Sequence, residues 1–443
     1  MGKATVRKRS LGTVYIGPVE IAGQYAAIAE ALRSQGVASH LHLRFAHPFS
    51  YSTALVHTGL VLRAHRWIIR YRETNDLPHF PHRVALEAAR RALWSVHAVG
   101  AIARYRTFVF AFATTFAPEG RDLPLLKLLG KRVVVVAANG SEARPPYVDG
   151  SHSDKPVREV ANSTRRKRRT LRRIEKWAAV VIGAPLSSSQ LLRRPFVNYF
   201  AMGMPVRPIT APAQTPPRDP AGTVRILHAP SRLRGKGTER IRAAVRALVD
   251  RGLPIEYVEV TNQPNSVVIA ELAATDIVVD QLYSDTPMAT LASEAAGMGR
   301  PSVVGGYGWD MLRRWVPDGM WPPSQTCHPD EVEAAITLLV EDPEYREELG
   351  RAARAFVRTR WSMEEVGGRW RAVLEGDIPN DWWVNPAEFV YTHGAAIRED
   401  DARRMVHALV EECGPSALQL APGSAQQSAF LEFGRRGGAR EEG

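Results

Sequence analysis

Val224 to Arg240 reads V-R-I-L-H-A-P-S-R-L-R-G-K-G-T-E-R, and this stretch decides how the second half of the chain folds. Val224 to Leu227 is a short apolar run with the pattern of a buried strand. The polar turn after it carries Ser231, Arg232, Arg234, Gly235, Lys236, Gly237 and Thr238. Beyond the turn, Ile241, Val245, Leu248 and Val249 fall on one face of an amphipathic helix. A strand, a glycine-bearing basic turn and a helix make a place for a phosphate. Glycine lets backbone N–H groups approach, the helix start favours negative charge, and Arg and Lys neutralise the remainder. The plain alternative is a basic surface loop with no ligand.

A second stretch begins at Asp276 and reads D-I-V-V-D-Q-L-Y-S-D-T-P-M-A-T-L-A-S-E-A-A-G-M-G-R-P-S-V-V. A strand, Ile277 to Val279, leads into a polar loop and a helix bearing Glu294. A small-residue turn follows, then a strand from Ser302 to Val304. Together the two stretches resemble the donor-binding domain of GT-B glycosyltransferases of the family-4 type. The resemblance is carried by H-A-P-S-x(4)-K-G-T at His228 to Thr238, by D-Q-L at Asp280 to Leu282, and by S-E-A-A-G-M-G-R-P at Ser293 to Pro301. It implies an α/β chain of the GT-B class: two Rossmann-like domains facing a cleft, here with a C-terminal extension.

The 443 residues are too many for one ordinary domain, and 45% hydrophobic with 23% charged residues is a globular composition. The net charge of +12 calls for an acidic partner: a nucleotide diphosphate, an anionic lipid surface or nucleic acid. The two cysteines, Cys327 and Cys413, lie far apart, which argues against a disulfide framework or a zinc site and fits a reducing cytoplasm. The basic N-terminus has no signal-like apolar core, since Leu11 to Ile16 is too short. Nowhere do 18 apolar residues run together, so the chain is expected to be cytoplasmic, at most peripheral at the inner face of a membrane.

Residues 1–204 read as an N-terminal Rossmann-like acceptor domain. Its expected strands are Thr13 to Ile16, Val37 to Phe45, Thr107 to Ala113, Arg132 to Ala137 and Ala178 to Ile182. Ser50 to Arg106 holds two or three amphipathic helices rich in Arg and His. Residues 205–222 form an interdomain linker, with prolines at 205, 208, 212, 216, 217 and 220. Residues 223–360 alternate strand and helix as a nucleotide-sugar donor domain. Residues 361–376 form a helix opened by an S-x-x-E box at Ser362 and Glu365, which the resemblance sends back across to the first domain. Residues 377–420 are an aromatic-rich extension, and the polar composition of 421–443 predicts a disordered tail.

The resemblance implies retaining sugar transfer without a metal and with no cofactor beyond the nucleotide-sugar co-substrate. A basic pair stabilises the leaving diphosphate. Lys236 takes the family's lysine position in K-G-T. Its arginine partner is Arg232 or Arg234, with Arg232 favoured; the family spacing of R-x(4)-K does not single out either. Ser231, Gly235, Gly237 and Thr238 complete the donor loop. Glu294 matches the second glutamate of E-x(7)-E, whose carboxylate accepts the ribose hydroxyls. Thr286 stands at the first glutamate position, with Asp285 beside it as a substitute.

In the first domain Gly17, Gly23, Glu142 and Arg144 are the acceptor and cleft candidates. The family's histidine is missing from Phe108 to Thr115, and His40 and His47 are weak replacements. Arg165, Arg166, Lys167, Arg168, Arg169, Arg172 and Arg173 lie on one basic helix. Its plain role is a solvated face; a peripheral contact with anionic membrane comes next, and nothing marks a nucleic-acid module. The acceptor is left unidentified. Two rivals stand: a nucleotide-sugar epimerase, and a catalytically impaired GT-B-like protein that binds a sugar nucleotide or a partner.

Overall fold

Two parallel sheets, one from each half of the chain, carry the molecule. The computed structural model describes residues 11–45, 56, 57, 59–75, 80–209 and 222–438. The first sheet is built from β1 (Val14–Gly17), β2 (Ser39–Leu41), β3 (Thr107–Phe110), β4 (Arg132–Ala137), β5 (Val180–Gly183) and β6 (Phe196–Asn198). They lie in the order β2-β1-β3-β4-β5-β6, each parallel to its neighbours. The connecting helices are α1 (Gln24–Ser34), α2 (Leu60–Thr74), α3 (Phe80–Arg104), α4 (Leu123–Leu128), α5 (Val157–Trp177) and the single turn α6 (Tyr199–Met202). The valines of β4 are buried, as a parallel strand covered on both faces requires. β2 is shorter than the expected Val37 to Phe45. It ends the sheet, paired along its length with β1, which itself ends at Gly17, and touched on its other side by a single bridge from Leu41 to Val56.

The second sheet comprises β7 (Val224–His228), β8 (Ile255–Glu259), β9 (Ile277–Ser284), β10 (Ser302–Gly306) and β11 (Gln325–Cys327), in the order β11-β10-β9-β7-β8. Between them run α7 (Leu233–Lys236), α8 (Thr238–Asp250), α9 (Asn265–Ala274), α10 (Thr290–Gly297) and α11 (Trp309–Arg313), and α12 (Val332–Glu341) and α13 (Pro343–Thr359) follow. β9 runs well past the expected Val279, because β10 pairs with it as far as Gly306 against Ser284. Both sheets are doubly wound: the strand order reverses between β1 and β3, and between β7 and β9. The architecture is that of two Rossmann-like domains facing a cleft, with a C-terminal extension. Residues 203–209 leave the first domain without regular structure, and 210–221 of the expected linker lie outside the described residues.

α14 (Met363–Glu375) is capped by Ser362, whose hydroxyl accepts from the Glu365 N–H at 3.2 Å. It packs against α1 of the first domain so closely that a Cβ on Gly367 would sit 2.3 Å from the Ala31 carbonyl oxygen. The extension then adds β12 (Trp383–Val384), antiparallel beyond β6. α15 (Glu399–Cys413) follows and packs on α5, and α16 (Ala425–Gly438) folds back on α15. α16 corrects the expected disordered tail. Within that polar composition Phe430 is fully buried and Phe433 nearly so, and two aromatics suffice to dock an otherwise solvated helix. Residues 439–443 lie outside the described residues. No described helix is long and apolar enough to cross a membrane.

Candidate functional site

The loop after β7 is fixed from below by His228, which is fully buried. Its Nδ1 lies 2.7 Å from the Val279 carbonyl and its Nε2 2.9 Å from the Thr238 hydroxyl. A carbonyl only accepts, so Nδ1 carries the proton and Thr238 donates to Nε2. Thr238, buried and starting α8, is therefore a positioning residue. Gly237 has φ +75°, and a Cβ there would meet Leu282 at 2.8 Å, so the turn requires glycine. The expected irregular turn contains one helical turn, α7, that ends in Lys236.

Lys236 reaches β9, where its Nζ lies 3.1 Å from Asp280 Oδ1. Asp280 is fully buried, and its Oδ2 has no hydrogen-bond partner among the described residues. The structure separates the two candidate arginines. Arg234 is bonded to Asp154 of the first domain and lies 3.7 Å from Asp401 of the extension. Arg232 is exposed and has no acidic partner among the described residues. Gly235 packs against the extension, with Ala396 Cβ 3.2 Å from where its own Cβ would be.

Ser231 and Glu294 come together in a hollow of about 90 Å³. Ala229, Pro230, Val260 and Leu291 supply apolar walls, and Asn262 and Asn265 supply amides. Asn265 Nδ2 donates to Glu294 Oε1 at 3.0 Å. Burial pushes the Glu294 carboxyl up to about 7, against the Asn265 hydrogen bond and with some help from the Asp280 charge. This carboxylate stands at the carboxyl ends of β7 and β8, where doubly wound sheets bind ligands.

Asp285 faces the other way, across the cleft. Its Oδ2 accepts from Arg144, from Ser187 Oγ at 2.7 Å and from Ser188 Oγ at 2.6 Å, all in the first domain. Burial raises its pKa, but Arg144 and the two hydroxyls outweigh burial and hold the carboxyl below its usual range. Thr286 is tied within its own loop: its N–H donates to Ser284 Oγ at 3.2 Å, and that hydroxyl donates to the Thr286 carbonyl at 2.7 Å. Asp285 and Thr286, expected with Glu294, are thus on a separate contact.

In the first domain, Arg144 also bonds Asp149 at 3.1 Å and is almost fully buried. Glu142 is buried beside it. Its Oε1 accepts from the Asn139 N–H at 2.9 Å, and its Oε2 has no partner among the described residues. Burial pushes this carboxyl up to about 7, opposed by the backbone hydrogen bonds and by the Arg144 and Lys167 charges. Gly17 has a packing reason to be glycine, since a Cβ would lie 2.1 Å from the His42 carbonyl oxygen. Gly23 starts α1 with φ +77°. The N-terminus of α1 already holds a carboxylate that the sequence reading missed. Glu20 accepts from the N–H groups of Ile21, Tyr25 and Ala26 at 2.8–3.0 Å. Burial raises the pKa of this carboxyl against the three N–H bonds, and it already occupies donors that a ligand phosphate at this helix start would need. His40, on the edge strand β2, has its Nδ1 2.8 Å from the Tyr105 hydroxyl, and His47 lies outside the described residues.

The basic helix α5 spends much of its charge internally. Arg168 pairs with Glu175 at 2.7 Å and Arg173 with Glu119 at 3.0 Å. Lys167 Nζ donates to the Ser141 carbonyl and, at 2.8 Å, to that of Arg144; burial pulls its pKa down to about 8. Of the seven basic residues singled out, Arg165, Arg166, Arg169 and Arg172 remain exposed, and Arg158 and Lys176 of the same helix are exposed with them.

The second feature missing from the sequence reading is the path of residues 389–399. Gln190 Nε2 donates to the carbonyls of Tyr391 and His393, and Ala395 N–H reaches the Val148 carbonyl at 3.3 Å, all on the first domain. On the second domain, Ala396 N–H donates to the Tyr283 carbonyl at 2.8 Å and the Tyr391 hydroxyl to the Tyr307 carbonyl at 2.7 Å. The extension is a strap across the cleft at the ends of β9 and β10. The cluster of aromatics at Trp382, Trp383, Phe389 and Tyr391 was its only mark in the sequence.

No protein-family model matches the chain, and no curated protein matches it. Among solved structures it is similar to HepE (Alr3699) of Anabaena, solved with UDP: 12% identity, TM-score 0.46, over 82% of this chain and 100% of that one. It is similar to WaaG, a glycosyltransferase involved in lipopolysaccharide biosynthesis: 11% identity, TM-score 0.46, over 82% of this chain and 100% of that one. It is also similar to the glycosyltransferase SnogD of Streptomyces nogalater, at 13% identity and TM-score 0.40, over 82% of this chain and 100% of that one. Likeness at this level adds nothing to the site, which stands on its own geometry.

Proposed function

We propose that the chain transfers a glycosyl group from a nucleotide-sugar donor, with retention and without a metal. The donor's nucleoside would occupy the hollow at Ser231 and Glu294, where an ionised Glu294 accepts the ribose hydroxyls. Its diphosphate would lie along the Arg232 to Thr238 turn, with Lys236 and Arg232 neutralising charge on the leaving group. Arg234 is left out of this set because its partners, Asp154 and Asp401, belong to the first domain and the extension, whereas Lys236 is held by Asp280 of the donor domain itself. Retention rests on the family resemblance alone. The observation that carries the reading is the meeting of Ser231, from the loop after β7, and Glu294, from α10, in one hollow beside the basic turn.

One finding favours a second reading, a protein that binds a sugar nucleotide without turning it over. Asp285, the substitute for the sugar-contacting glutamate, is bound by Arg144, Ser187 and Ser188. A thermal-shift panel of nucleotide diphosphates and nucleotide sugars tests both readings. A ligand at 100 times its Kd stabilises by about 2.7 kcal/mol. A shift with slow release of nucleoside diphosphate supports the transferase, and a shift without release supports the binder. No shift with any nucleotide refutes the site.

A further inference from the structure

The helical hairpin α2–α3 buries one side and leaves the other open. Leu62, His65 and Ile68 of α2 and Trp94 and Ala101 of α3 face the core of the first domain. The outer side of α2 presents Leu60 at 80% exposure and Trp67 at 61%, with Tyr71 stacked on Trp67 at 5.2 Å. The outer side of α3 presents Val84, Val96 and, at 68% exposure, Val99, with exposed alanines between. A solvated helix gains nothing from exposed Trp and Leu at this spacing, and so large an apolar surface marks an interaction site.

The charge on the hairpin selects the partner. The two helices contain eight arginines and two glutamates, and Glu87 is already bound by Arg72, Arg90 and Arg91 at 2.6–2.8 Å. Two open hollows flank the hairpin, and each combines guanidinium groups with apolar carbon. One, of about 440 Å³, is lined by Arg44, Arg72, Arg90, Phe45, Ile69 and Glu73; the other, of about 530 Å³, by Arg72, Arg83, Arg91, Val84, Ala88 and Glu87, so that three guanidinium groups face one carboxylate in each. The Nε of Arg44 is buried and has no hydrogen-bond partner among the described residues. A second copy of the same surface would set arginine against arginine. A bilayer with anionic headgroups satisfies both features: Trp and Leu enter the interface, Tyr and Arg stay at headgroup level, and phosphates meet the hollows.

We propose that α2–α3 is a membrane-docking surface for anionic lipid. It does this in place of α5, whose outer face is basic but carries no exposed apolar side chain to insert. The proposal stands independently of catalysis. It is tested with the full chain by co-sedimentation with vesicles of phosphatidylcholine alone and of equal parts phosphatidylcholine and phosphatidylglycerol.

The wild-type chain is expected to sediment with the anionic vesicles and not with the neutral ones. Leu60→Ser/Trp67→Ser and Arg63→Ser/Arg70→Ser should each weaken binding roughly tenfold or more, while Arg166→Ser/Arg169→Ser retains it. All six positions are exposed, so unchanged melting curves are expected to accompany each variant. The proposal is overturned by equal binding to neutral vesicles, by no binding to either, or by loss confined to the α5 variant. A Trp67-dependent dimer in sedimentation equilibrium would also overturn it.

Discussion

Replacing Lys236 by alanine should do two things at once, and a second substitution separates them. Lys236 is the hydrogen-bonded cation of Asp280, 3.1 Å away, and Asp280 is fully buried with its other oxygen unpartnered. Lys236→Ala strands that carboxylate, and breaking a buried pair from one side typically costs about 3–5 kcal/mol. The proposed chemistry adds a separate loss. Removing one preorganised charge from a developing anion lowers turnover by roughly 10²–10³-fold. In Lys236→Ala/Asp280→Asn the stranded charge is gone, so most of the stability should return. Turnover should stay low, because only Arg232 is left to face the diphosphate. Chemical denaturation reports the first quantity and steady-state release of nucleoside diphosphate the second. If the double variant recovers both, Lys236 is only the structural partner of Asp280, and the diphosphate assignment is refuted.

Donor affinity should fall as pH drops through about 7, where Glu294 takes up a proton and can no longer accept both ribose hydroxyls; titration calorimetry on Glu294→Gln should give weaker binding with that pH dependence removed, and an unchanged profile would place the ribose elsewhere. Glu142 has a folded pKa raised to about 7, so its contribution to stability is fully present below about 4.5 and is lost as pH rises through 7. Glu142→Gln should therefore stabilise the chain at pH 8 by up to ~3 kcal/mol and have almost no effect near pH 4, as read by denaturant melts; stabilisation that is equal at both pH values would contradict the burial of an ionisable charge. Truncation after Leu420 removes Phe430 and Phe433 from their sites on the extension and should destabilise it by several kcal/mol, since each buried Phe is worth about 3–5; a truncated chain that melts like the full one would restore the disordered tail.

The strands legible in the sequence are those buried on both faces. Val133 to Val136 and Ile277 to Val279 are continuous apolar runs, and burial on both sides demands that pattern. β11 and β12, three and two residues long, are too short to show any period. The basic turn, Lys236 and Glu294 were legible because glycine geometry and charge leave local marks. Lys236 has a partner on β9, and the Asp285 contact with Arg144 spans 141 positions; such pairings have no local mark. Glu20 was missed for a related reason. It caps α1 from beyond the first turn, so no capping box precedes the helix. α16 was missed because composition averages over the two phenylalanines that dock it.

The strap changes what a cleft between two such domains can do. Its adjacent residues Ala395 and Ala396 donate to opposite domains, to Val148 and Tyr283, so a rigid opening of the cleft must break one bond or the other. The Tyr391 hydroxyl and the Glu399 N–H add two more bonds to Tyr307 on the second domain. At about 1 kcal/mol net for each hydrogen bond, the attachment to the second domain is worth roughly 3 kcal/mol, before the buried Arg144–Asp285 pair is counted. A ligand that opened this side would have to bind the open form more tightly by at least that much. The hollow at Ser231 and Glu294 needs no such opening. It lies at the ends of β7 and β8, and the strap crosses at β9 and β10, on the other side of the sheet's switch point. The proposed nucleoside would therefore enter with the strap in place. Only the step that brings a sugar to the ends of β9 requires Asp285 to leave Arg144. If the proposed site is right, nucleotide binding and sugar positioning are separable in this chain, and transfer should be slow relative to binding.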